Sequence, residues 1–160
     1  MTKIVRAIVR YFKKRFAGAQ IKVRLLAIAA FAIFAFLGGN DAVDIAKSIS
    51  NPETTANTLG VTTQESTLRA VIVLLLSAVI CVASLATIVG AMQRTTLLRG
   101  WIVVTVTYVL YALYHLSFAI VQMHGSQIQA FIPGAVYLCL AAAAYSFGRQ
   151  ASRALDPVVH

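Results

Sequence analysis

The chain has 160 residues, of which 59% are hydrophobic and only 12% charged, with a formal net charge of +9 and a mean hydropathy of +0.80. A soluble globular protein is about half apolar and a quarter charged, so this composition excludes an ordinary soluble domain and points to a multi-span membrane protein. The apolar segments are apolar on every side instead of alternating, which argues against a β-barrel and for an all-α integral-membrane bundle.

The first element is basic. In residues 3–16, KIVRAIVRYFKKRF, the residues Val5, Ile8, Val9, Phe12 and Phe16 share one helical face, with Arg6, Arg10, Lys13 and Lys14 largely on another. This pattern predicts a cytoplasmic amphipathic helix over residues 1–20, lying on the leaflet through apolar insertion and anionic lipid. Lys22 and Arg24 extend the same headgroup-contacting set by snorkelling. The positive charge does not imply nucleic acid, because it collects next to a membrane span and no nucleic-acid motif accompanies it.

A membrane domain over residues 21–148 follows, read as four spans at about 21–39, 70–92, 100–121 and 131–148. Between Ala70 and Gly148 lie 79 residues with only two charges, Arg94 and Arg99. The first span's core, Leu25 to Leu37, resembles a signal-peptide core behind a basic leader, but the leader is unusually long and the segment reads as retained. Small residues Ala32, Ala35 and Gly39 mark its expected packing face. An outside loop over 40–67 reads as a short surface helix capped by Asn40 and ending at Asn51-Pro52, then a capping box of Thr62 and Glu65 that starts the second helix. Residues 149–160 form a cytoplasmic tail.

Orientation comes from the basic residues. Eight of the fourteen Lys and Arg precede Leu25, and Arg94, Arg99, Arg149 and Arg153 fall on the same side; Lys47 and Arg69 alone lie opposite, among four acids. The positive-inside rule then puts both termini in the cytoplasm, at a bacterial inner membrane or, less readily, an organelle inner membrane.

The third span carries most of the polar chemistry. Trp101, Val104, Tyr108, Tyr111, His115, Phe118 and Gln122 recur at steps of three and four, forming an aromatic and polar face that needs protein, not lipid, beside it. His115 is the candidate for a cofactor contact. A bis-His haem with His124 fails, since nine residues of helix separate the two by roughly 13 Å. On the second span Ser77, Cys81, Ser84, Ile88 and Ala91 form a stripe of mostly small residues, and the fourth offers Ala142 with Ser146 and Ala144 with Gly148; both patterns permit close helix approach. Cys81 and Cys139 sit in apolar runs with no CxxC pattern and read as packing residues.

No span carries an acid, and no metal-binding, nucleophilic or phosphate-cradling motif is present. The expected function is therefore a non-catalytic accessory or assembly subunit, without cofactor or metal, of a larger integral-membrane complex, with an energy-converting or respiratory assembly as one possible host. The alternative is a homo-oligomeric transporter or pore lined by Thr105, Tyr108, Tyr111, His115 and Gln122. A redox or lipid enzyme centred on His115 is the third reading.

Overall fold

The computed structural model describes residues 3–59, 62–93, 95–122 and 131–155, with side chains described from Gln20 onward except at 55, 58, 59, 121 and 122. The described residues are almost entirely helical: α1 (Lys3–Ser50), α2 (Pro52–Leu59), α3 (Thr63–Gln93), a 3-10 turn (Thr96–Arg99), α4 (Gly100–Gln122) and α5 (Ile132–Leu155). Three stretches, Gln20–Ser50, Thr63–Gln93 and Thr96–Ile120, are long and apolar enough to cross a membrane. In α5 the apolar run ends at Arg149, so it spans residues 132–148 and about 25 Å at 1.5 Å per residue.

The first helix differs from the sequence expectation at both ends. It is one unbroken helix of 48 residues, roughly 70 Å long. The basic N-terminal segment is thus not a separate helix, and Asn40 is not a cap but an interior residue of α1. Nothing in the 38–44 sequence stops a helix: Gly38 and Gly39 lower propensity by about 1 kcal/mol each, which packing outweighs. The helix ends where Pro52 forbids continuation, and Pro52 then occupies the first position of α2, where its missing N–H costs nothing. The side chains of Arg6, Arg10, Lys13 and Lys14 lie outside the described residues.

Periodicity explains the α1 packing face. Ala27, Phe31, Phe34 and Gly38 are buried at steps of four, three and four, and Asp41, Ile45 and Ser48 continue the same stripe half-buried. The small residues expected to pack behave differently: Ala32 is exposed, Ala35 is half-buried, and Gly39 has open space where a side chain would stand. The wider Phe31 and Phe34 rings fill the interior instead, edge to face with centroids 5.4 Å apart.

The third helix opens on Thr62, whose hydroxyl accepts the Glu65 amide at 3.2 Å. Glu65 in turn pairs its carboxylate with Arg69 one turn on. At its other end α3 is held by Arg24, whose guanidinium donates to the Met92 carbonyl, so Arg24 satisfies a last-turn carbonyl of α3 as well as standing near the basic flank. The turn into α4 folds back tightly over Gly90, where any side chain would collide with the Leu97–Leu98 backbone.

The four long helices touch in a ring, α1 against α3, α3 against α4, α4 against α5, and α5 back against α1, with α2 laid on α3. The main core joins Phe31, Phe34, Ile80, Val104, Tyr108, Tyr111 and Ala144. A second core of Ala27, Ala91, Leu98, Ala151 and Leu155 closes the end near the 3-10 turn. The segment expected to be a tail is therefore helical and packed as far as Leu155. The outward surfaces of α1, α3 and α4 carry large apolar side chains, among them Phe36, Leu75, Val82, Leu113 and Ile120.

Candidate functional site: an aromatic and polar cluster inside the bundle

Helix α4 positions the cluster. Its residues Val104, Tyr108 and Tyr111 are buried to 0–2% exposure, because steps of three and four return them to the interior while Val103, Val106 and Leu110 turn outward. Thr105 and Thr107 satisfy their hydroxyls inside the helix, donating to the Trp101 and Val103 carbonyls at 2.9 and 2.8 Å.

Tyr111 lies at the centre. Its hydroxyl is 3.1 Å from the Ser77 hydroxyl of α3, and its ring meets that of Tyr137 of α5 at 4.3 Å. Tyr108 packs edge to face on Phe34 at 5.6 Å and stacks on Tyr137 at 6.2 Å. His115, half-buried, stacks on Tyr111 at 5.4 Å and on Tyr137 at 5.1 Å, with Tyr114 edge-on. Tyr137 donates its hydroxyl to Asp41 of α1 at 3.4 Å, a long bond. The buried hydroxyls of Tyr108 and Ser84 have no hydrogen-bond partner.

The remaining candidates scatter to either side. Trp101 sits at the opposite end of α4, laid on Gly148 where a Cβ would clash with its ring; its indole N–H donates to Ser152 at 2.8 Å and it meets Tyr145 edge to face at 5.7 Å. Phe118 stacks under the guanidinium of Arg69 at 4.0 Å. Ser77 and Ser84 are buried and Cys81 half-buried on α3, where Gly38 of α1 packs against the backbone at Ser77 and Cys81. Lys22 is exposed. The Gln122 side chain, His124 and His160 lie outside the described residues.

Two participants escaped the sequence reading. Tyr137 belongs to the inward stripe Gly134, Tyr137, Ala141, Ala144, Gly148 of α5, and its spacing from those small residues was the available signal. Asp41 falls in the outside loop that the sequence predicts over 40–67, so the sequence puts no carboxylate beside the third-span face. Continuing the Phe31, Phe34, Gly38 steps by three would have reached it.

Chemically, the cluster is a set of phenols and one imidazole closed on itself. The α4 face that would line a pore is occupied by Phe34, Ser77 and Tyr137 of the same chain. No group of three or more His, Cys, Asp or Glu side chains that could hold a metal ion occurs among the described residues. Fold and cluster together define a small helical bundle with membrane-compatible helices. No protein-family model matches the chain, and no match was found among curated proteins or solved structures.

Proposed function

We propose that this chain is a non-catalytic accessory or assembly subunit of a larger integral-membrane complex, spanning a bacterial inner membrane four times with both termini in the cytoplasm. The fourth span is α5, tilted little and completed at its cytoplasmic end by Arg149 and Arg153, and the basic N-terminal part of α1 contacts anionic lipid. The observation that carries the reading is the outward face of α5. Ala135, Cys139, Ala142 and Ser146 are exposed at steps of four, three and four, a flat stripe of small residues on the outside of the bundle.

Larger side chains flank this stripe on α5, Ile132, Val136, Leu138 and Tyr145 among them, and dominate the outward surfaces of the other long helices, as suits contact with acyl chains. Small residues at this spacing instead let a second helix approach closely, which is how packing drives association where no hydrophobic effect operates. The inward stripe of α5, Ala144 and Gly148 included, is already used by α4, so the outward stripe is left for another subunit. Burial of Tyr108 and Tyr111 within the chain counts against the alternative, a pore lined by α4.

Purification through a C-terminal tag in mild detergent, followed by native gels and mass spectrometry, tests this. Wild-type chain is expected in a complex with other integral-membrane polypeptides at fixed stoichiometry. Ala142→Trp is expected to release it as a folded single chain, whereas the inward Ala144→Trp unfolds it. Recovery of this polypeptide alone, as one small homo-oligomer indifferent to Ala142→Trp, would overturn the proposal.

A further inference from the structure

A cavity of about 200 Å³, partly open to the surface, lies where the end of α1, the start of α3 and the end of α4 meet. Its walls include Ile45, Ser66, Arg69, Tyr114, His115 and Phe118. They are mostly apolar, yet they hold one full positive charge. The Arg69 side chain is 19% exposed, and its two terminal nitrogens differ. Nη2 pairs with Glu65, while Nη1 is buried and has no hydrogen-bond partner.

Nη1 is sealed by protein atoms, its hydration lost and not replaced, so it is the cavity-lining part of the guanidinium, not Nη1, that is open to a ligand. The guanidinium's orientation is also set in advance. Phe118 covers one face of the guanidinium at 4.0 Å and Glu65 holds one edge, so the remaining in-plane donors are fixed before anything binds. Arg69 is the last charge before the uncharged run that begins at Ala70. It therefore stands at the polar boundary of a membrane-compatible helix, the level of lipid headgroups.

We propose that this cavity binds the anionic head of a membrane amphiphile, a fatty-acid carboxylate or a phospholipid phosphate, with Arg69 as its anchor. A space of about 200 Å³ takes more than a water molecule or two. That admits a head and a few methylenes, with the rest of the tail running out along the apolar surface. This site is independent of the subunit reading above.

The test uses the full-length chain purified in a neutral maltoside detergent, with oleate, dioleoyl phosphatidylglycerol and the uncharged oleyl alcohol as probes, and adducts read by native mass spectrometry. Wild type is expected to retain oleate or phosphatidylglycerol in preference to oleyl alcohol, and which of the two it retains assigns the source of the head. Arg69→Gln is expected to weaken retention at least about tenfold, the loss of one charge-assisted hydrogen bond. Ala70 also lines the cavity, and Ala70→Leu, which leaves Arg69 in place and fills the space, is expected to do the same. Circular-dichroism melts check that both variants fold; should Arg69→Gln fail to, Ala70→Leu and the oleyl alcohol comparison decide. Equal retention of oleyl alcohol, no retention of either anion, or unchanged retention in a folded variant would each overturn the proposal.

Discussion

Tyr111 and Ser84 are both buried polar residues facing the same interior, yet they differ in what removal should do. Tyr111 has its hydroxyl 3.1 Å from that of Ser77, while the Ser84 hydroxyl has no partner. Hydrogen bonds between membrane helices are worth about 0.6 kcal/mol on average and up to about 1.7. Tyr111→Phe is therefore expected to destabilise the bundle by an amount in that range, and Ser77→Ala combined with it should add little. Ser84→Ala, by contrast, is expected to be neutral or stabilising, since it deletes an unsatisfied group. Unfolding by added SDS, followed by circular dichroism, measures all three. The period of α4 alone placed Tyr108, Tyr111 and His115 on one face. It carried no information about Ser77, Tyr137 or Asp41, because partners across helices are set by rotation and depth, which one helix's spacing does not contain.

At the scale of elements, the largest departure is the continuity of α1 through residues 38–50. The Gly38-Gly39 pair and the following polar residues resemble a span end and a fresh N-terminus. Asn40, Asp41 and Asp44 suit a first turn well. A cap is needed only where a helix starts, however, and the stripe Phe34, Gly38, Asp41, Ile45 and Ser48 keeps its phase against α3. Burial along that phase outweighs the local preference for a break. Single cysteines placed from 40 to 48, in a chain with Cys81→Ala and Cys139→Ala, should then label with a helical period under a water-soluble maleimide. Positions 40, 43, 44 and 47 are expected to react fast, and 41, 45 and 48 slowly. A flat profile would instead indicate a separate, solvated connector. The start of α3 was easier to read, since Thr62 and Glu65 are local partners three residues apart and need nothing from the rest of the fold.

For the molecule as a whole, the charge distribution predicts the threading. With both termini inside, a phosphatase fused after residue 60 should be active in the periplasm, while fusions at residue 95 or at the C-terminus should be inactive there and fluoresce as cytoplasmic reporters. A C-terminal fusion active in the periplasm, with the fusion at residue 95 still cytoplasmic, would show that α5 does not cross. Composition and the run from Ala70 to Gly148, with only two charges, were sufficient by themselves to point to membrane-compatible helices and to locate α3, α4 and α5 approximately, though not the extent of α1, because hydration of charge and burial of the backbone are decided segment by segment. Which face of each helix turns inward was partly readable from period. Tertiary structure alone decided three things: that the aromatic face of α4 is closed by this chain's own α1, α3 and α5, that Asp41 reaches Tyr137, and that Arg69 borders a cavity with Phe118 and His115. Each joins residues many turns apart on different helices. Their meeting depends on how large and small side chains interlock across the bundle, a property of pairs of surfaces that no single segment carries.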